Sequence, residues 1–257
     1  MIFWGQMIGL YTIVRKEIAR TLRLWGQTLL PPTITTILYF VIFGRIIGHR
    51  VGNMAGYPYI EFIAPGLIMM QVIMSAYNAA VASFFIAKFQ RNIEELLVSP
   101  MSNIVMLIGY MLAGVFRGLL VGVIVSIVTL FFTHLRVYSI SLICLSALLT
   151  AAIFSIAGLI NGIFAKSFDD ISIIPTFVLT PLTYLGGVFY SLTLLPEFWQ
   201  RFSYANPIVY MVSTFRYGFF KITYSHLIMS YFLMMLLVVV LFFWALYLFK
   251  NASGLRY

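Results

Sequence analysis

The chain has 257 residues, is 62% hydrophobic and only 9% charged, and carries a formal net charge of +9. Soluble domains carry about 25% charged residues, so this sequence cannot furnish the polar surface of one. Lipid is the remaining solvent; it requires backbone polar groups to be satisfied internally, and the long unalternating apolar runs read as helices rather than barrel strands.

The basic residues lie mostly at the ends of apolar runs, where orientation and anionic lipid explain them better than nucleic acid does. Cys144 is the single cysteine, so no disulfide can form within the chain, and its apolar setting predicts a small core side chain. No removable signal peptide is expected, because the first charges follow apolar residues.

Residues 3–25 come first. Trp4, Met7, Ile8, Tyr11, Val14, Ile18, Leu22 and Trp25 recur at helical spacing, and Lys16, Arg20 and Arg23 share another face. This predicts an amphipathic interfacial helix, with Arg15 near the apolar stripe and free to snorkel. Six apolar segments then reach the roughly 20 residues needed to span a bilayer: 27–47, 60–86, 104–132, 140–164, 171–190 and 227–249. Pro31 and Pro32 open the first span, where missing N–H groups do little harm. Glu61, at the start of the second, is expected near the outer surface, solvated or paired with a loop arginine.

Between the second and third spans lies "KFQRNIEELLVSP", residues 88–100. Phe89, Ile93, Leu96 and Leu97 form one apolar stripe on a segment too short to span, and Pro100 ends it. An interfacial helix lying on lipid is one reading. Glu94 and Glu95 would be repelled by anionic headgroups, which favours a docking helix for a cytoplasmic partner.

In the third span Gly114, Gly118 and Gly122 form a ridge that lets another helix approach closely. Arg117 beside it has two readings: a pathway or helix-pairing residue, or a side chain that snorkels to the nearby surface. "GLINGIFAKS" at 158–167 lacks the Gly-Lys-Ser/Thr ending of a phosphate loop, so Gly158 and Gly162 read as a packing pair and no P-loop is present. Asp170, in the turn that follows, suits the cap of the next helix. Pro175 and Pro181 predict kinks in the fifth span. Residues 191–220 are aromatic-rich and too broken to span, and read as short re-entrant helices on the outer side.

An even number of spans puts both termini on one side. Segments 1–26, 87–103, 165–170 and 250–257 hold nine Lys/Arg and the opposite loops six, which predicts cytoplasmic termini. No internal repeat or linker divides the chain, so residues 1–257 form a single membrane domain. His49, His134 and His226 sit at separate loops without metal-ligand spacing, and no nucleophile elbow appears. An intramembrane lipid-modifying enzyme, or an ATP-independent channel or assembly protein, stand as rival readings to a transport subunit.

One gapped pattern is specific. Leu179, Leu182 and Leu185 are spaced by threes and followed by Gly186, Gly187 and Val188; then come Leu195 and Pro196, Pro207, Ile208, Val209 and Tyr210, and finally Arg216. It resembles that of the ABC-2 type permeases, the membrane subunits of one class of ATP-binding-cassette exporters. "QTLLPPTITTILYFVIFG", "FIAPGLIMM" and "FAKSFDDISIIPTFVLTPLTYLGGVFYSLTLLPEFW" extend the likeness over nearly the whole chain. The resemblance implies an all-α membrane protein with six transmembrane helices, an N-terminal amphipathic interfacial helix, a cytoplasmic coupling helix and outer re-entrant helices between spans five and six. It further implies a homodimer in the bacterial inner membrane and a separate ABC ATPase subunit that holds ATP and Mg. This chain would carry no cofactor and no catalytic site. Its coupling helix would present Phe89, Arg91, Ile93, Glu94, Glu95, Leu96 and Leu97. The cargo is left open, since similar permeases export drugs, lipid-linked glycans or polysaccharides.

Overall fold

The computed structural model describes residues 2–90, 92, 101–222 and 226–251. Helix α1 (Ile2–Arg23) leads into α2 (Trp25–Thr28), α3 (Leu30–Tyr39) and a π-helical stretch, Phe40–Ile47. A short α4 (Gly48–Val51) precedes a two-residue hairpin, β1 (Asn53–Met54) with β2 (Tyr57–Pro58), paired antiparallel. Its turn places Ala55 and Gly56 at positive φ (50° and 86°), as a tight two-residue hairpin demands. The long helices follow: α5 (Tyr59–Phe89), α6 (Asn103–Leu130) and α7 (Ile140–Phe164). Then α8 (Phe168–Ile174), a π-helical turn Pro175–Leu179 and α9 (Thr180–Leu185) run head to tail. A 3-10 turn (Leu192–Leu194), α10 (Glu197–Tyr204), α11 (Pro207–Phe220) and α12 (Leu227–Lys250) complete the order.

Among the described residues five helical segments are long and apolar enough to cross a membrane: Trp25–Gly44, Tyr59–Phe89, Asn103–Leu130, Ile140–Phe164 and Leu227–Lys250. Helix α5 is the hub. Of its most apolar window 83% is buried, against 17% for α12, so α5 is surrounded by protein while α12 keeps most of its surface outward. Its principal neighbours are α6 and α7. Small residues bring these helices together: a Cβ at Gly118 would lie 2.8 Å from that of Ala76, and one at Gly158 would meet the Tyr77 carbonyl.

Helix α1 is inverted relative to a soluble amphipathic helix. Its apolar stripe (Trp4, Met7, Ile8, Tyr11, Leu22) is exposed, and Ile13, Glu17 and Thr21 are buried. A lipid environment rewards that arrangement. Two expectations are corrected. Cys144 is exposed rather than in the core, because α7 turns this face outward. The cap of α8 is Ser167, not Asp170: the Ser167 hydroxyl accepts from Asp170 N–H, and the Asp170 carboxylate accepts from the backbone N–H of Ser167 (3.0 Å) and Lys166 (2.8 Å).

Those two N–H donors hold the Asp170 carboxyl below its ordinary value of 3.8. A folded-state value below the unfolded one contributes stability above the unfolded pKa and loses it as pH falls through the folded pKa. Unfolding of wild type and Asp170→Asn in detergent, followed by circular dichroism, is expected to differ at neutral pH and to converge below about pH 4. A constant difference across that window would assign the effect to packing instead.

Candidate functional site

The residues of the gapped pattern converge on one problem of backbone chemistry. The chain leaves helical geometry at Gly186, and four carbonyls around the break lie where helix bonds cannot reach them. Each receives a side-chain donor. Asn206 Nδ2 donates to Leu182 O (2.7 Å), because Gly186 N–H has turned back to Thr183 O. Arg216 Nη2 donates to Gly187 O (2.9 Å) and, more weakly, to Val188 O (3.5 Å). Tyr59 Oη donates to Phe189 O (3.0 Å). Buried polar groups require such partners, most of all where no water competes.

Arg216 is only 1% exposed, and its guanidinium lies 4.0 Å from the centroid of the Phe62 ring. It therefore joins α11 to both the broken segment and α5 through hydrogen bonds and a cation–π contact. Gly187 supplies a φ of +74°, and a Cβ at Gly66 would stand 2.6 Å from Val188 O, so α5 meets this loop backbone to backbone. Leu179 is buried, and Leu182 and Leu185 are half-buried. Asn206 also caps α11 through its Oδ1, with Pro207 at the first helical position. Tyr210 Oη donates to Tyr204 O (2.8 Å) at the end of α10, and Pro196 precedes that helix. The rings of Tyr39 and Phe43 pack on Phe189, which ties the first span to the same knot.

At the other end of α5 lies a charged clamp that the sequence reading missed. Glu17, 3% exposed, pairs with Arg20 (2.8 Å) and accepts from Ser83 Oγ (2.7 Å), and Arg20 donates to the same Ser83 hydroxyl. The available signal was the three-residue spacing of Glu17 and Arg20 on one face. Gly114, Gly118 and Gly122 face Ala76 and Val72 of α5. Arg117 is half-buried beside them, close enough to Arg20 for electrostatic repulsion, and its Nε is buried without a hydrogen-bond partner among the described residues. Ala76 lies seven residues from Ser83, which sets the Arg117 level about 10 Å further along α5 than the clamp.

A second junction ends α5. Lys88 Nζ donates to Ile163 O (2.8 Å) and Ala165 O (2.9 Å), satisfying carbonyls that the end of α7 leaves open. Phe89, the last residue of α5, and Phe85 pack on Phe168 at the start of α8, with ring centroids 5.2 and 5.0 Å away. Arg91, Ile93, Glu94, Glu95, Leu96 and Leu97 lie outside the described residues.

Long apolar helices packed about a buried hub define a multi-pass helical membrane protein. The model of the ABC-2 type transporter family matches residues 9–220. The chain is 54% identical over 255 residues to the inner membrane transport permease YadH of Escherichia coli (strain K12), covering 99% of this chain and 98% of that one. It is 25% identical over 185 residues to nodulation protein J of Rhizobium leguminosarum bv. viciae, covering 70% of each chain. The chain belongs to the ABC-2 type transporter family.

Replacing Arg216 by Met keeps an unbranched apolar stem and removes both donors. Loss of charge-assisted bonds to buried carbonyls is expected to cost about 2–3 kcal/mol, read as a lower melting temperature in detergent. Arg216→Lys should rescue little, since an ammonium offers no planar face to Phe62. A melting temperature unchanged in Arg216→Met would mean that the carbonyls find other donors.

Proposed function

We propose that this chain is the membrane-spanning subunit of an ATP-binding-cassette exporter in a bacterial inner membrane, moving substrate by alternating access while a separate ATPase chain, holding ATP and Mg, supplies the energy. The observation that carries this reading is the family match over residues 9–220, joined to end-to-end identity with an inner membrane transport permease. In this reading α8, its π-helical turn and α9 complete a sixth crossing. The segment after Gly186 re-enters the membrane from the outer side, both termini are cytoplasmic, and two copies pair.

Residues 88–99 would seat in the ATPase as its coupling helix. The geometry at their edge supports a path for force. Movement of that segment would pull on Lys88, which holds the last carbonyls of α7, and on Phe89, which packs on the start of α8. Helices α7 and α8 would then answer together. ATP binding would shift the population between inward-open and outward-open arrangements by the difference in its affinity for the two. The Arg216 knot would hold the far end of α5 to the re-entrant segment during that motion.

Two outcomes test this. Glu94→Arg combined with Glu95→Arg is expected to abolish co-purification of the ATPase; retained co-purification and export would remove the coupling role. Lys88→Met is expected to keep ATPase association and to lower transport about tenfold, the effect of losing ~1.5 kcal/mol of charge-assisted hydrogen bonding. Equal transport by wild type and Lys88→Met would exclude Lys88 from the path. The rigorously pure chain should hydrolyse no ATP.

A further inference from the structure

Two cavities on the α11 side of the bundle are continuous, and neither is used by the function proposed above. The first is a cleft of about 550 Å³ between the hairpin, the 131–139 loop and the end of α11. Its wall carries Arg136, Lys221 and His134, the single carboxylate of Glu61, and the rings of Tyr57 and Tyr138. The second is a groove of about 460 Å³ between α6 and α7, floored by Phe215 and Phe219 of α11. Its lining is almost wholly apolar, with Val123, Ile127, Leu130 and Ile140 exposed along it. Val137 and Phe219 line both cavities, so the polar cleft opens directly onto the apolar groove.

The cleft is held open by its own bonds. Tyr138 N–H and Ser139 N–H both donate to Gly218 O (2.9 Å each), which stitches the 131–139 loop to α11. Lys221 ends α11 in a left-handed conformation (φ 60°), and its Nζ lies 5.4 Å from the centroid of the Tyr138 ring. Glu61 forms no ion pair among the described residues and is half-exposed at the wall, which corrects the expectation of a paired carboxylate. Two fixed cations therefore face one carboxylate, with an apolar slot below them.

We propose that this pair of cavities binds one anionic phospholipid. Its phosphate lies against Arg136 and Lys221, its headgroup hydroxyls reach the Glu61 carboxylate, and one acyl chain occupies the groove between α6 and α7. Charge complementarity selects the headgroup, and the continuity through Val137 and Phe219 requires an amphiphile rather than a free anion. Both cavities fall within the size range of ligand sites. The inference needs only the membrane setting, and it stands or falls apart from the pairing with an ATPase.

The single cysteine supplies the test. Cys144 is exposed and lines the groove, so a bimane fluorophore attached there reports on the chain occupying it. The full-length protein is reconstituted in phosphatidylcholine vesicles containing acyl-brominated phosphatidylglycerol or, separately, acyl-brominated phosphatidylethanolamine. Half-quenching is expected at about tenfold lower mole fraction of the brominated phosphatidylglycerol, as two cations near a phosphate predict. Arg136→Gln with Lys221→Gln should remove that preference, while Arg136→Lys with Lys221→Arg keeps it and controls for folding. Equal quenching by the two lipids overturns the proposal, as does a preference that survives the glutamine pair. Absence of quenching by either lipid, meaning that protein covers the groove, overturns it as well.

Discussion

A helix that breaks inside a membrane strands its carbonyls, and the rest of this molecule is arranged around that debt of hydrogen bonds. The chain departs from helical geometry at Gly186 and leaves carbonyls at Leu182, Gly187, Val188 and Phe189 without helical donors. Asn206, Arg216 and Tyr59 reach them from three different elements. Lipid offers no substitute, so each of these bonds must be made by protein. The glycines are the counterpart of the donors: Gly187 takes the backbone conformation of the turn, and Gly66 lets the hub helix lie against the loop.

The hub then sets the spacing of the polar features. Phe62, which stacks on Arg216, and Ser83, which joins the Glu17–Arg20 clamp, are 21 residues apart on α5. At 1.5 Å per residue that is about 30 Å, the thickness of the hydrocarbon core. Buried charge is thus concentrated near the two ends of the hub, where the cost of ionisation is least. Between them, packing rests on small residues against backbone.

Much of the architecture was legible because lipid makes hydropathy explicit. The segment 140–164 matches α7, and 60–86 lies within α5. The gapped pattern was legible as a pattern, yet its meaning was not, since nothing in the spacing of Gly187, Asn206 and Arg216 says that one supplies acceptors and the others donors. Glu17 was invisible for a different reason. An acid among basic residues on a surface helix reads as solvated, and only the approach of Ser83, 66 positions away, buries it. Cys144 was misplaced because α7 is apolar on its lipid face as well as its protein face, so composition alone cannot tell the two apart. The same ambiguity hid the groove between α6 and α7.

The π-helical turn at Pro175–Leu179 carries a consequence for how such chains vary in length. A π-turn accommodates one more residue than the α-helix it interrupts, and Thr180 Oγ1 bonds to Pro175 O (2.9 Å) across it. Deleting a single residue there would heal the backbone into a continuous α-helix. It would also rotate everything beyond by about 100°. Leu182 O would swing away from Asn206, and Gly187 would present its carbonyl to a face that Arg216 does not occupy. The extra residue therefore works as a phase setter, fixing the azimuth at which the helix delivers its frayed end to the donors waiting for it.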